Sequence, residues 1–336
     1  MQLNTPRWWY RKKGGGLAAT LLKPLSALYA DQTARRVRSD PGFDPGVPVI
    51  SIGNLTVGGS GKTPVVREIL HMLARNGVDA HGLSRGYGAD QSGPLLVDPD
   101  LHTAAEVGDE PLMLAQDHPV WISRDRAEGA RAAVAGGAKL LVLDDAHQNP
   151  SVRKTRSVVV VDGETRDGAW PFGDGSVVPA GPMREPLAVG LARADAVIVM
   201  MPSDLAAPDP ELLALFGDLP VRIARLEPVR PPSPGPKLGF AGIAKPWRVE
   251  QSLRAAGTDL KGFRAFPDHA TYSEDTLASL GREADRLGAG LVTTEKDWVR
   301  LPPAWRQRIE AWPVRARFEA EQMILDLLPR DPDDRD

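Results

Sequence analysis

Short apolar runs alternate along the chain with stretches in which apolar residues recur every three or four positions. VPVISIG (47–53) predicts a buried strand, and TPVVREILHMLARNG (63–77) predicts an amphipathic helix that follows it. Seven further runs have the composition of strands, at 78–83, 120–123, 139–143, 157–161, 196–200, 237–241 and 290–294. This alternation is typical of the α/β class, a parallel sheet with helices on both faces, and such sheets bind ligands at the carboxyl ends of their strands.

The length of the chain and the breaks in its pattern predict two domains. With 336 residues, the chain is long enough for two cores. Hydrophobicity falls at QNPSVRKTRS (148–157), which predicts a domain boundary there. The prolines of VRPPSPGPK (229–237) indicate either a second boundary or a long loop inside the second domain. A strand at 313–318 and a helix at 319–329 are expected before an acidic tail.

Composition excludes several classes of site. A net charge of −3 provides no global basic field, so we expect no nucleic-acid partner. The chain has no cysteine, which excludes disulfides, thiolate metal sites and cysteine nucleophiles. No apolar run is long enough to span a bilayer, and no segment predicts an obligate protein partner.

The amino-terminal segment PRWWYRKKGGGLAATLLKPLSALYA (6–30) has two interpretations. Cations precede a moderately apolar stretch, as in a signal peptide, but Lys23 and Pro24 interrupt that stretch. In one interpretation the segment is an interfacial anchor, with its aromatic residues at the headgroup level and its cations against anionic lipid. In the other it is a helix packed on the body of the protein, preceded by a frayed segment of basic residues.

The turn between the first strand and its helix carries the end of a phosphate-loop motif. Its glycines allow backbone N–H groups to curl around phosphate oxygens, Lys62 supplies a cation for the β- and γ-phosphates, and the Thr63 hydroxyl binds Mg²⁺. The residues expected to contact the nucleotide are Thr56, Val57, Gly58, Gly59, Ser60, Gly61, Lys62 and Thr63. Thr56 stands where the usual pattern has glycine.

Three acidic stretches complete the candidate chemistry. KLLVLDD (139–145) ends in Asp144 and Asp145, of which one would hold Mg²⁺ directly or through water. Asp109 follows Gly108 at a predicted helix start, where a carboxylate stabilises the helix end without further function. Asp268 and His269 form either a structural pair or part of the carboxylate–imidazole combination that helps a kinase accept a hydroxyl proton.

Together these stretches resemble the tetraacyldisaccharide 4′-kinase family of lipid A biosynthesis. The resemblance rests on VPVISIGNLTVGGSGKTP (47–64), LSRGYG (83–88), VGDEP (107–111), LVLDDAHQNP (141–150), VPAGPMREP (178–186), FPDHATY (266–272) and LVTTEKDWVRL (291–301). The family also has threonine at the first loop position, so Thr56 belongs to its own variant of the loop.

The resemblance implies the reaction and the roles of the site residues. ATP with Mg²⁺ would phosphorylate the 4′-hydroxyl of a tetraacylated glucosamine disaccharide 1-phosphate, a lipid A precursor, at the cytoplasmic face of the inner membrane of a Gram-negative bacterium. The enzyme would be a peripheral protein. The implied catalytic residues are Asp109 as general base, His269 as its partner and Lys62. Glu185 would lie near the metal, Arg184 near the phosphates and acceptor, and Ser84 and Arg85 would meet the acceptor.

The resemblance also implies how the chain is divided. A P-loop NTPase-like domain would cover 1–150, including the membrane-contact segment, and a smaller α/β/α domain would cover 157–312. Residues 151–156 and 313–318 would be connecting arms, and the helix at 319–329 would return to the first domain. The stretch 294–296 would belong either to the nucleotide side or to the contact between domains.

The sequence departs from the family pattern at two places. After the aspartate pair, Ala146 replaces glycine, His147 takes the aromatic place and Asn149 takes that of a histidine, so we assign His147 no catalytic role. Ala270 replaces a second histidine that many relatives have after His269. Two other functions remain open at this stage, a P-loop nucleotide switch that docks partners and a kinase for a small soluble metabolite.

Overall fold

A computed structural model describes residues 6–38, 42–321 and 326, and it contains two sheets. The larger sheet has the strand order β13-β8-β7-β6-β1-β5-β2-β4-β3. Its strands are β1 (Val49–Gly53), β2 (Ala80–Ser84), β3 (Leu95–Leu96), β4 (Val120–Ile122), β5 (Leu140–Asp144), β6 (Arg156–Asp162), β7 (Ala196–Met201), β8 (Val221–Pro228) and β13 (Val314–Phe318). All neighbours in it run parallel except the pairs β3–β4 and β8–β13.

The smaller sheet is parallel throughout and has the order β10-β9-β11-β12. Its strands are β9 (Lys237–Ala241), β10 (Leu260–Ala265), β11 (Gly290–Thr294) and β12 (Ile309–Trp312). The helices are α1 (Gly16–Arg38), α2 (Lys62–Arg75), α3 (Ala104–Val107), α4 (Asp109–Leu114), α5 (Arg126–Ala135), α6 (Leu187–Leu191), α7 (Pro210–Ala214), α8 (Pro246–Ala255), α9 (Glu274–Arg286), α10 (Glu295–Trp298) and α11 (Pro303–Arg306), with short 3₁₀ turns at Arg7–Tyr10 and Arg166–Gly168. The predicted α/β class is confirmed.

Helix α2, which follows β1, is held against the larger sheet by its apolar face. In α2, Val66, Ile69 and Leu70 are fully buried and pack against Ile50 and Val142 of the central strands. Burying an aliphatic side chain of this size contributes roughly 1.5–3 kcal/mol. This face fixes the start of α2 over the carboxyl end of β1, where the glycine turn lies.

Of the two breaks in the sequence pattern, the first does not coincide with a change of sheet. β6 pairs in parallel with β1, with Ile50 opposite Arg156, so the polar connection at 148–157 lies within the larger sheet. The four valines of β6 are buried on both faces, as expected of a central strand. The limit of the predicted domain 1–150 therefore does not coincide with a change of sheet, because a polar connection has the same composition within a sheet as between two sheets.

The crossing lies at 229–236, after β8. The chain returns through β13, which pairs antiparallel to β8 with Val314 opposite Pro228. We propose that, of the described residues, those up to 228 and 314–321 form one domain, and 237–312 form the other. Most of the helix expected at 319–329 lies outside the described residues.

The amino-terminal helix packs on the body of the protein and leaves one apolar face exposed. α1 packs on the body through Ser26, whose Oγ donates to the Val177 carbonyl at 2.7 Å. Its opposite side exposes four leucines, with Leu17 84% and Leu21 79% exposed, and with Leu25 and Leu28 continuing the same stripe. Across the described ranges, no helix combines the length and the apolar character needed to cross a membrane.

Candidate active site

The glycine turn between β1 and α2 has the backbone that phosphate binding requires. Gly58 and Gly61 have φ angles of 100° and 85°, in the region that favours glycine. Lys62 is the first residue of α2, so the amino-terminal N–H groups and the positive end of the helix point out of the same turn. The turn therefore presents N–H donors and a lysine at the carboxyl edge of the sheet.

Thr56 needs no glycine conformation because it lies in extended backbone. It forms an antiparallel bridge with Met183. On either side, the N–H of Val57 donates to the Pro182 carbonyl and the N–H of Arg184 donates to the Leu55 carbonyl, both at 2.8 Å. The segment GPMRE is thus fastened to the first half of the loop.

The two aspartates at the end of β5 have different environments. Asp145 adopts a φ of 51° and accepts a hydrogen bond from Arg184 Nη1 at 2.7 Å, with Lys62 Nζ 3.8 Å from the same oxygen. Burial opposes its ionisation, but the charges of Lys62 and Arg184 hold the pKa of Asp145 at about 2. Asp145 is therefore an ionised partner of the two cations.

Asp144 is the carboxylate that lacks a partner. It is 3% exposed, and its Oδ1 has no hydrogen-bond partner among the described residues. Burial, followed by the nearby Glu110 carboxylate, raises the pKa of Asp144 to about 7. A buried oxygen of this kind suits a cation, because a cation would satisfy it and favour the charged form. The donor set fits Mg²⁺, which takes one or two carboxylates together with phosphate oxygens and water.

Glu185, which the resemblance places near the metal, is engaged by other side chains. Both of its oxygens accept hydrogen bonds from Arg193 Nη2, at 2.7 and 2.8 Å, and Gln148 Nε2 lies 3.0 Å from one of them. Gln148 Nε2 also donates to the Asn54 carbonyl at 2.8 Å. Glu185 thus orders the start of the phosphate loop, whereas the free buried oxygen belongs to Asp144.

The altered residues after the aspartate pair have structural contacts. His147 is buried, with Nδ1 2.9 Å from Ser157 Oγ and Nε2 2.9 Å from the Gly190 carbonyl. Burial lowers the pKa of His147 to about 4, so it is neutral at pH 7. Asn149 Oδ1 accepts from the N–H of Ser151 at 3.0 Å, which closes a local turn.

Asp109 and His269 meet between the two sheets. Asp109 begins α4 after Gly108, and its Oδ2 lies 3.0 Å from His269 Nδ1. Arg300 Nε lies 3.3 Å and Lys296 Nζ 3.9 Å from the same oxygen. Burial opposes ionisation, but the hydrogen bond from His269 and the charges of Lys296 and Arg300 hold the pKa of Asp109 at about 2. Asp109 is thus the first residue of α4, and its carboxylate faces His269 on the loop after β10 of the smaller sheet.

The segment at 294–297 forms the contact between the sheets. Glu295 pairs with Arg67 of α2 at 2.8 Å, and Lys296 pairs with Glu110 of α4 at 2.9 Å. Asp297 is fully buried and accepts hydrogen bonds from Tyr272 Oη at 2.6 Å and from the N–H of Gly242 at 2.9 Å. This segment holds the His269 loop against α4.

A second contact joins the smaller sheet to the strand beside the phosphate loop. Asp162, at the end of β6, is paired with Lys245, and Arg248 Nη2 lies 3.1 Å from its Oδ1. A Cβ added to Gly59 would lie 3.7 Å from Ala244 Cβ. The loop that begins α8 therefore lies against the phosphate loop.

The residues expected to meet the acceptor lie at the same carboxyl edge. Ser84 is the last residue of β2 and is buried, whereas Arg85 is exposed. Arg126 supports the neighbouring strand end, where its Nη2 donates to the carbonyls of Asp144 and Asp145 at 3.1 and 2.9 Å. Ser84 and Arg85 thus lie at the carboxyl end of β2, the strand paired with β5.

Sequence reasoning missed several residues of the site. Arg300 lies beside Asp109, Arg193 binds Glu185, and Arg126 supports the aspartate pair. An arginine in a helical stretch gives no signal that distinguishes it from a surface cation. Arg300 lies within LVTTEKDWVRL (291–301), and its place in that stretch was the one available indication.

The chain is similar to known proteins over nearly its whole length. A family model described as tetraacyldisaccharide-1-P 4′-kinase matches residues 18–330. The chain is similar to the tetraacyldisaccharide 4′-kinase of Caulobacter vibrioides (strain NA1000 / CB15N), at 63% identity over 331 residues and 98% of each chain. It is 48% identical over 339 residues to that of Maricaulis maris (strain MCS10), covering 99% of this chain and 98% of the relative. It also resembles the crystal structure of LpxK from Aquifex aeolicus in complex with ATP, with a TM-score of 0.72 and 25% identity over 93% of this chain and 98% of that one.

Proposed function

The chain belongs to the tetraacyldisaccharide 4′-kinase family and is a kinase of lipid A biosynthesis, and we propose that it transfers the γ-phosphoryl group in the space between its two sheets. The observation that carries this proposal is the position of Asp109 and His269, which join α4 of the larger sheet to a loop of the smaller one. Membership of this family argues against the other two interpretations, a nucleotide switch and a kinase of a small soluble metabolite.

ATP would bind on the turn between β1 and α2. The N–H groups of 58–63 and Lys62 would hold the β- and γ-phosphates, and Arg184 would add a second cation from its position beside Asp145. The ATP present in the related Aquifex aeolicus structure supports ATP as the nucleotide. Most of the acceleration would come from positioning and charge neutralisation, as in other phosphoryl transfers.

Thr63 and Asp144 would hold Mg²⁺. The partnerless Asp144 oxygen supports this choice over Asp145, which is engaged by Arg184 and Lys62. When bound, the ion would neutralise charge on the phosphates. No three acidic or histidine side chains of the described ranges form a ready-made metal cage, which fits an ion whose remaining ligands are phosphate and water.

Asp109 would accept the proton of the attacking 4′-hydroxyl. His269 Nδ1–H donates to Oδ2 and fixes the orientation of the carboxylate, and Arg300 and Lys296 keep it ionised. A carboxylate with a pKa of about 2 is a weak base. This suits a loose transition state, in which the hydroxyl proton is transferred late and the base contributes orientation as well as proton acceptance.

The lipid acceptor would be reached at the cytoplasmic face of the inner membrane. The exposed leucines of α1 support this contact, and the last turn of α1 adds Arg35, Arg36 and Arg38 for anionic headgroups. Trp8 and Trp9, expected at the headgroup level, are half-buried against the protein. The leucine stripe is therefore the apolar surface we propose for the membrane.

Transfer by a Lys62→Ala variant tests the nucleotide assignment. With γ-labelled ATP and a tetraacyl disaccharide 1-phosphate in detergent micelles, this variant should lose at least a hundredfold in kcat/KM because its phosphate cation is gone. Lys139→Ala, at the opposite end of the sheet, is the matched control and should keep the wild-type rate. Equal activity of the Lys62 variant would remove the phosphate loop from the mechanism.

A further inference from the structure

Residues 7–12, called the lead below, pack on the protein beside the phosphate loop. Arg11 forms an antiparallel bridge with Ala169, and the Tyr10 carbonyl accepts a hydrogen bond from the N–H of Trp170 at 2.7 Å. Gly173 lies so close to this lead that an added Cβ would come within 2.0 Å of the Trp9 carbonyl oxygen. Residues 9–11 therefore have one fixed position on the loop at 166–175.

This position brings the Tyr10 side chain to the glycine turn. The Tyr10 hydroxyl donates a hydrogen bond to the carbonyl of Val57. A Cβ added to Gly58 would lie 3.0 Å from the same hydroxyl, so the hydroxyl also lies directly against Gly58. The lead thus contacts the segment that would hold the phosphates.

Holding the Val57 carbonyl determines where the next N–H points. The peptide bond between Val57 and Gly58 is trans and planar, so the Gly58 N–H lies opposite the carbonyl that Tyr10 holds. Asn54 Nδ2 holds the next carbonyl, that of Gly58, at 3.4 Å, which turns the Gly59 N–H in the same way. The N–H groups of Gly58 and Gly59 are thereby directed away from Tyr10 and Asn54. Successive N–H groups that point to the same side form the concave site in which proteins bind phosphate.

We propose that Tyr10 is a positioning residue of the nucleotide site, which completes the phosphate loop from the amino-terminal segment. It acts through the Val57 carbonyl and does not touch the reacting atoms. The inference rests on the proposed binding of ATP to this loop. It gives the lead at 7–12 a role in nucleotide affinity that is separate from the lipid contact of α1.

The inference changes how amino-terminal truncations are interpreted. Removing residues 1–30 deletes Tyr10 together with the leucine stripe, so ATP affinity and lipid contact would fall together. Point variants are needed to separate the two effects.

The test compares Tyr10→Phe with wild type in the full-length protein. Phenylalanine keeps the ring and removes only the hydroxyl. Losing one such hydrogen bond should raise the Kd for ATP with Mg²⁺, measured without lipid by calorimetry, about two- to tenfold. The KM for ATP should rise by the same factor, while the KM for the lipid acceptor and kcat at saturating ATP stay at wild-type values.

Two controls make the outcomes distinct. Tyr29→Phe removes a hydroxyl from α1 of the same segment and should leave the Kd for ATP unchanged. An unchanged Kd in Tyr10→Phe would overturn the inference, as would an equal rise in both KM values, which indicates a general loss of structure.

If Lys62→Ala also binds ATP like wild type, the proposed nucleotide site itself is wrong. If Lys62→Ala loses ATP while Tyr10→Phe does not, only the inference fails.

Discussion

Asp109 Oδ2 and His269 Nδ1 lie 3.0 Å apart although the two residues are separated by 160 positions in the chain. Asp109 starts α4, next to the larger sheet, and His269 lies on the loop after β10 of the smaller sheet. The hydrogen bond between them exists only while the two sheets are in contact. The proposed proton acceptor is therefore assembled by the same contact that Glu295 and Lys296 make with α2 and α4.

Replacing His269 should reduce turnover without affecting the nucleotide. His269 has a φ of 56°, a conformation that asparagine also tolerates, so His269→Asn keeps the backbone and removes the imidazole. We expect kcat to fall roughly ten- to a hundredfold, because Asp109 loses the donor that orients it, with the KM for ATP unchanged. Steady-state kinetics measure both values. An unchanged kcat would show that the histidine has only a structural role.

Asp144→Asn should abolish the effect of Mg²⁺ on stability. Wild-type protein should gain about 2.7 kcal/mol in its free energy of unfolding at a Mg²⁺ concentration of about 100 times its Kd, and the variant should gain little. At pH 8, above its raised pKa of about 7, Asp144 is ionised and buried, so the metal-free variant should be at least as stable as metal-free wild type. Thermal melts with and without Mg²⁺ measure both effects. A variant that Mg²⁺ stabilises as much as wild type would place the ion elsewhere.

Lys296→Gln should shift the acid limb of the pH–rate profile to higher pH. The folded pKa of Asp109 lies below its ordinary value of 3.8, so Asp109 stays ionised and active until the pH falls toward about 2. Removing the Lys296 charge raises that pKa, and the loss of kcat/KM on acidification should begin earlier. Lys261→Gln, on β10, serves as the control and should leave the profile unchanged. Coincident profiles for wild type and Lys296→Gln would argue against Asp109 as the titrating base.

Polar substitutions on the leucine stripe should weaken membrane binding selectively. Leu17 and Leu21 are 84% and 79% exposed, so Leu17→Gln with Leu21→Gln costs little folding free energy. Each buried CH₂ contributes about 0.8 kcal/mol to membrane binding, so the double variant should bind vesicles containing anionic lipid at least tenfold more weakly. Sedimentation with vesicles measures this, and the Kd for ATP should be unchanged. Equal binding to vesicles would exclude this face as the contact.

Local patterns in the sequence predicted the larger part of the fold and one end of the site. The strand, turn and helix at 47–77 follow from short-range periodicity and glycine placement, which do not depend on distant residues. β8 was missed because its residues are mostly half-exposed and two arginines interrupt its apolar positions. Of the breaks at 148–157 and 229–237, only the second coincides with the change of sheet after β8, because a polar connection looks the same within a sheet as between two sheets.

Contacts between distant segments could not be predicted from spacing. Arg300 and Lys296 reach Asp109 only because α10, which follows β11, lies against α4. Tyr10 appeared to be a headgroup aromatic, since nothing in WWY indicates a partner 47 positions away in the phosphate loop. The resemblance to a family supplied the roles of Asp109 and His269, whereas their geometry required the structure.

Phosphate transfer from γ-labelled ATP to a tetraacyl disaccharide 1-phosphate, compared in wild type and Asp109→Asn, is the decisive test of Asp109 as the proton acceptor. Asparagine keeps the shape of the side chain, and the Kd for ATP shows whether the variant retains its nucleotide site. We expect labelled lipid with wild type and a rate lower by roughly a hundred- to ten-thousandfold in the variant, with ATP binding unchanged. A variant that labels the lipid at the wild-type rate, or a wild-type protein that hydrolyses ATP and leaves the lipid unlabelled, would contradict this expectation.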